Sequence, residues 1–425
     1  MKTVLRALAR HRNTPARRAL LPALVGALLL LSTPLASASP RWQRLDSFLS
    51  QATATGAYPG AVAVVEHRGK PVFAGQWGYQ DIGRTRPMRQ DSIFRIYSMT
   101  KPITSVAVLM LMEEGKLSLD DPLSRFLPAF AGQQQVTGSG EAAQLSAPDV
   151  TLTLRHLLTH TSGWVMDRSR YPITTQALSR ADTDNAPSLT VLAERLAGVP
   201  LAKAPGTAFH YEGANTDLLG RVVEVVSGQP FAQFLQQRIF APLGMTDTAF
   251  EVPPAQRSRV VDLASSTEAG SLVLANSHSA RVPGARIKPY DNGAGGLYST
   301  LDDYLRFARM LANDGRSGQV QLLSRKSVDL MMADQLAAGF GAPIEGFSRG
   351  EGFGLGGYVV TDPAIRGRLG SVGQFGWSGV GSTYFTVDRR EHVVAILMMQ
   401  YLPQGERHLP SPATPFYNLV YQAIP

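Results

Sequence analysis

Residues 94–114 read FRIYSMTKPITSVAVLMLMEE, and their interpretation organises the rest of the chain. Ser98 and Lys101 stand three apart at the start of an apolar run. Pro102 fits only the first turn of a helix, so the helix begins near Ser98. At a helix start, positions i and i+3 share a face, so Ser98 and Lys101 can meet. A serine hydroxyl is a weak nucleophile and needs a base; a lysine serves when burial favours its neutral form. The same helix N-terminus offers the Ser98 backbone N–H to a developing oxyanion. The tetrad alone is weak evidence. Thirty-two serines and seven lysines in 425 residues give about 0.5 such matches by chance. Its bland reading is a helix cap followed by a solvated lysine.

Context adds weight on both sides of the tetrad. Upstream, residues 41–54 carry Trp42, Leu45, Phe48 and Leu49 at helical spacing. Ala61–Glu66 and Pro71–Trp77 then read as two strands of a hairpin, turning at His67-Arg68-Gly69-Lys70. Near the other end, Phe353–Val360, Gly381–Val387 and Val393–Gln400 are strand-like, with a polar turn at Asp388–Glu391 and a last helix over Pro412–Tyr421. Between them lie Leu-rich helical patterns at Thr104–Glu114, Leu152–Thr159, Leu189–Leu196, Asn215–Val226, Phe231–Ile239, Thr300–Leu311 and Ser324–Met332. The fold class is α+β: a mostly antiparallel sheet built from both ends of the chain and flanked by helices, with a helical region inserted. The sheet region is expected at about 41–95 and 345–425, and the inserted region at about 96–344. Ala131–Asp149 reads as a surface loop.

Composition excludes several classes. The net charge of +8 and pI near 9.7 hint at nucleic acid. Residues 1–38 hold six of the basic residues and no acid, and without them the balance is +2, no footprint for phosphates. Those residues also carry an apolar run, Ala19–Leu31, and the small-residue site Ala36-Ser37-Ala38. They are expected to be a cleaved signal peptide, with residues 39–425 forming the exported unit, without stable membrane insertion, in a bacterial periplasm or secreted. The absence of cysteine removes disulfides, thiolate metal sites and a cysteine nucleophile.

Five ordered blocks carry a family resemblance: Phe94–Lys101 (FRIYSMTK), Thr153–Gly163 (TLRHLLTHTSG), Phe209–Gly228 (FHYEGANTDLLGRVVEVVSG), Gly293–Thr300 (GAGGLYST) and Gly376–Asp388 (GWSGVGSTYFTVD). Over about residues 55–400 the chain resembles the serine β-lactamase and penicillin-binding superfamily, and is most similar to class C β-lactamases and family VIII carboxylesterases. The resemblance implies Ser98 as the acylated nucleophile, Lys101 as its partner and Tyr211 as the tyrosine of the second motif, with the division of base duty between Lys101 and Tyr211 left open. It aligns Trp377-Ser378-Gly379 with the substrate-binding third motif, and makes the Val380 N–H the second oxyanion donor beside that of Ser98. It implies no cofactor and no metal.

Two positions depart from the β-lactamase pattern. Gly213 stands where the second motif has asparagine, and Trp377 where the third has lysine. A β-lactam would lose a charge-assisted contact to its carboxylate, worth about 1.5–3 kcal/mol. Both departures look like family VIII esterases. The expected activity is therefore hydrolysis of small acyl esters through an acyl-enzyme, with weak β-lactam hydrolysis. The alternatives are a β-lactamase, a D-amino-acid or peptidoglycan peptidase, an acyl transferase, and a non-catalytic binding relative. His156-x-x-x-His160 has zinc-like spacing but reads as a helix cap. Asp120-Asp121 and Asp302-Asp303 read as capping residues.

Overall fold

Alternating side chains build a sheet that is covered on both faces. The computed structural model describes residues 40–138, 142–336, 349–403 and 409–425; the expected signal peptide and the 344/345 boundary lie outside them. Strand β1 (Gly60–His67) is an almost unbroken buried run. Its Ala61, Ala63 and Val65 pack with Ala395, Leu397 and Met399 against the terminal helices α1 (Gln43–Ala54) and α5 (Ala413–Ala423). Val62 and Val64 point the other way, joining Val394, Ile396 and Met398 in the core of the helical region. A strand buried on both faces needs no polar alternation, which is why AVAVV can be wholly apolar.

Six further strands complete the sheet: β2 (Lys70–Gly78), β3 (Glu351–Phe353), β4 (Tyr358–Val360), β5 (Phe375–Gly379), β6 (Thr383–Asp388) and β7 (Val393–Met399). Their order is β3-β4-β5-β6-β7-β1-β2, and every neighbouring pair is antiparallel. The β1–β2 turn has positive φ at Arg68 (53°) and Gly69 (71°), the twist that suits a two-residue hairpin. The N-terminal part thus supplies two strands and the C-terminal part five.

Helix α2 (Thr100–Glu113) runs through the core with residues 100–111 all buried. Around it stand α3 (Gly213–Ser227) and α4 (Leu301–Ala312), with Leu218, Val222, Tyr304, Phe307 and Leu311 in the same cluster. Each fully buried Leu or Phe contributes about 1.5–3 kcal/mol, so this cluster anchors α2 firmly.

Three local readings differ from expectation. Residues 353–360 form two strands, β3 and β4, because Gly354 donates to the Gly357 carbonyl at 2.8 Å and Gly356 takes φ +90°. The helix from Phe231 changes to a π turn at Gln236–Phe240, next to Pro242, which has no N–H to continue an α-helical ladder. Within 131–149, Gln135–Thr137 pairs with Gln144–Ser146 as a small hairpin. A helix at Pro172–Ala181 was not anticipated.

Candidate active site

The Ser98 segment is held from three directions. Phe94–Arg95 pairs with Tyr298–Ser299, and a 3-10 turn, Tyr97–Met99, leads into α2. Tyr97 has φ +43°, a left-handed conformation that is rare for a bulky residue and puts Ser98 at the tip of a tight turn. The Tyr304 hydroxyl donates to the Met99 carbonyl at 2.9 Å, and the Leu297 N–H to Thr100 Oγ1 at 3.3 Å. Arg95 is fully buried; it donates to the carbonyls of Val261 (2.8 Å) and Ser279, and lies over the Tyr298 ring. Carbonyl acceptors and an aromatic face thus solvate a guanidinium directly behind the turn.

Lys101 is buried, and its Nζ donates to Ser98 Oγ at 3.2 Å and to the Ala294 carbonyl at 2.7 Å. The amine also lies 4.7 Å from the centroid of the Tyr211 ring. Ala294 belongs to a tight turn, Asn292–Gly296, closed by bonds from the Gly295 and Gly296 N–H groups to the Asn292 carbonyl. The turn is anchored on α3. Asp217 accepts from Asn292 Nδ2 at 3.1 Å, from the Ala294 N–H at 3.0 Å and from the Tyr290 hydroxyl at 3.3 Å. Burial pushes the Asp217 carboxyl up to about 7, against the hydrogen bond from Ala294 and the charge of Lys101.

Tyr211 lies between two aromatic neighbours, with ring centroids 4.6 Å from His160 and 5.3 Å from Trp377. Trp377 Nε1–H donates to the Tyr211 hydroxyl oxygen at 3.3 Å. Behind them Phe209 and Phe353 close an apolar wall. His160 is buried, and burial, then the charge of Lys101, hold its imidazole well below its ordinary titration range. Its Nδ1 faces the Glu212 N–H at 3.2 Å and the Asn215 amide at 3.2 Å, so it accepts, as a neutral ring does.

Strand β5 closes the other side. A Cβ on Gly379 would lie 2.4 Å from the Ile96 carbonyl oxygen, so glycine lets the strand touch the Ser98 turn. A Cβ on Gly381 would likewise sit 2.8 Å from the Tyr97 ring. Val380, between them, is 57 % exposed at the rim. The pleat puts Ser378 on the opposite face from Trp377, opposite Tyr384 in register, and among the described residues no hydrogen bond joins its hydroxyl to Ser98, Lys101 or Tyr211.

Residues 45–412 match the family model described as Beta-lactamase. The chain belongs to that family. Its relatives include esterases, acyltransferases and carboxypeptidase-like proteins, and this protein is a serine hydrolase of that superfamily. Protein Rv1367c of Mycobacterium tuberculosis is 35 % identical, the match covering 82 % of this chain and 87 % of that one. Esterase EstB of Burkholderia gladioli is 33 % identical, covering 85 % and 91 %. Among solved structures, EstCE1, a hydrolase with promiscuous acyltransferase activity, superposes with a TM-score of 0.73 at 24 % identity, covering 90 % of this chain and 98 % of that one.

For a Beta-lactamase family protein, two substituted positions stand out. Gly213 opens α3 with only the Ala294 methyl near its missing side chain, at 3.5 Å. Asn215 is turned toward His160, so it does not fill the place Gly213 leaves. Three contributors were not singled out from sequence: Asp217, Asn292 and Ala294. They lie in or beside quoted blocks, but only the fold shows that they touch. His160 was read as a cap. His156 does cap, accepting from the Thr153 N–H at 3.1 Å, whereas His160 follows the helix end with φ +54° and packs on Tyr211. Asp303 and Asp121 accept backbone N–H bonds, as structural carboxylates do. A cavity of about 750 Å³ at the other end of the strands is lined by Glu66, Arg309 and Arg389, with no serine–lysine pair.

Proposed function

We propose that the protein is a carboxylesterase that hydrolyses small, uncharged acyl esters through an acyl-enzyme on Ser98. Ser98 Oγ adds to the ester carbonyl carbon while its proton passes to the Lys101–Tyr211 pair. The carbonyl electrons move to oxygen, where the N–H groups of Ser98 and Val380 receive the charge. Collapse breaks the bond to the alkoxy oxygen, which takes the proton and leaves as the alcohol. Water repeats the sequence on the acyl-enzyme, releasing the acid and restoring the Ser98 hydroxyl. Trp377, Gly379 and the backbone of Ser378 line the acyl side.

The observation that carries this reading is the Trp377 contact with Tyr211 beside the Ser98–Lys101 pair. An indole N–H supports the phenol oxygen where a β-lactamase would present a cation, so nothing at that position attracts a substrate carboxylate. The esterase relative supports the same choice. Export by a cleaved signal at residues 1–38 is part of the proposal. Among the described residues no helix is long and apolar enough to cross a membrane.

The test compares the protein with Ser98→Ala on p-nitrophenyl butyrate and on nitrocefin, with intact-protein mass spectrometry. Ester turnover far above nitrocefin turnover, an acyl adduct on the parent and loss of both in Ser98→Ala are expected. Efficient nitrocefin turnover would overturn the substrate argument, and activity surviving in Ser98→Ala would overturn the nucleophile.

A further inference from the structure

Asp217 has an unusual position for a buried carboxylate. No ion pair within 4 Å involves it among the described residues; its acceptor bonds come from Asn292, Ala294 and Tyr290. Two of these partners lie in the turn whose Ala294 carbonyl receives Lys101 Nζ at 2.7 Å. Thus one residue joins the two groups: the N–H of Ala294 points to Asp217 and its C=O, in the next peptide, to the lysine. The turn has little freedom. Thr104 Oγ1 bonds the Gly293 carbonyl at 2.8 Å, and a Cβ on Gly293 would meet the Thr216 carbonyl at 2.9 Å.

We propose that Asp217 is a positioning residue for the reacting pair: its carboxylate clamps the Asn292–Gly296 turn so that the Ala294 carbonyl holds Lys101 against Ser98. This rests on the reading of Ser98 and Lys101 as that pair. A carboxylate in an apolar interior costs stability when charged, and a buried titratable group beside a candidate reacting lysine is a recurring mark of a functional site. The charge also acts directly. Lys101 from α2, and Lys288 and Tyr290 from the loop, face it electrostatically, and Lys288 is already paired with Asp184 at 2.6 Å.

The test uses a fluorophosphonate probe, which needs no knowledge of the substrate. Ser98 Oγ displaces fluoride from phosphorus, an O–P bond replaces the P–F bond, and the serine proton goes to the base. Asp217→Asn should slow phosphonylation about 10–100-fold, since a small misplacement of a reacting group costs that much. It should also move the acidic limb of the rate–pH profile to lower pH, because an anion is removed from beside a group that must lose a proton. Asp217→Glu, which restores the charge, should return the limb to its place. A parent rate in Asp217→Asn would overturn the inference, and so would a slower rate with an unmoved limb, which is the mark of a structural tie. If Asp217→Asn does not fold, Asn292→Ala decides: slower phosphonylation at a nearly unchanged Tm supports the clamp, and an unchanged rate overturns it. A parent protein that takes no adduct at Ser98 overturns the reading of the site itself, and the inference with it.

Discussion

The indole N–H of Trp377 points at the phenol oxygen of Tyr211, 3.3 Å away. In the proposed mechanism a neutral donor there stabilises developing negative charge on the phenol without adding a cation to the pocket. Trp377→Phe keeps an aromatic ring against Phe353 and removes the donor together with part of the indole surface. A hydrogen bond to a charged group is worth about 1.5–3 kcal/mol, and 3.3 Å is long, so the low end applies. The expected loss in ester kcat/KM is about ten-fold, read by initial rates, with Tm little changed.

Gly379 is where β5 meets the Ser98 turn. Gly379→Ala would drive a methyl into the Ile96 carbonyl at 2.4 Å and Thr383 Oγ1 at 2.5 Å. Both obstacles are parts of packed elements, so the strand must move and the Val380 N–H with it. In the proposed mechanism that N–H is an oxyanion donor, and losing one typically costs about 10²–10³ in kcat. The substitution is expected to cut kcat by that order, and a crystal structure of the variant should show β5 displaced from Ile96.

Lys101→Met separates catalysis from stability. The rate on esters should fall by about 10²–10⁴, as for loss of a positioned acid–base group. Stability should change far less. The variant loses the bond to the Ala294 carbonyl, but a polar amine no longer has to be buried. Chemical denaturation alongside kinetics checks both halves; a large stability loss would speak against a mainly functional role for the amine.

Two buried groups give stability–pH slopes of opposite sign. Asp217, raised to about 7 in the folded protein from about 3.8, binds a proton between those values while the unfolded chain does not. Its contribution therefore falls as pH rises from about 4 to 7. His160 is held neutral in the folded protein, well below 6.5, so the unfolded chain binds more protons below that value and stability is lost as pH falls. Asp217→Asn should make stability rise more steeply with pH over this window, and His160→Gln should flatten that rise. Urea unfolding at pH 5 and pH 8 measures each slope; an unchanged slope in Asp217→Asn would mean that the carboxyl is not displaced upward.

Much of the frame was legible in the chain. AVAVV, the positive-φ turn at Arg68-Gly69 and the apolar helix after Lys101 are local signals, written in periods of two and 3.6. The Ser98–Lys101 contact was legible for the same reason, since three residues of helix bring the two side chains together. Where glycine clusters interrupt the period, as at Gly354–Gly357, the local signal cannot separate one strand from a hairpin.

The amino-acid sequence by itself determined the α+β class, the covered sheet built from both ends of the chain, and the helix start that brings Lys101 to Ser98. Only the tertiary structure decided what surrounds that pair. The turn at Ala294 is 193 residues from Lys101, Trp377 is 166 from Tyr211, and Asp217 is 77 from Ala294. No periodicity spans such distances. They are closed by packing of α2, α3 and β5 around one core, which places a carboxylate, a carbonyl and an indole N–H on groups that the local sequence leaves unpartnered.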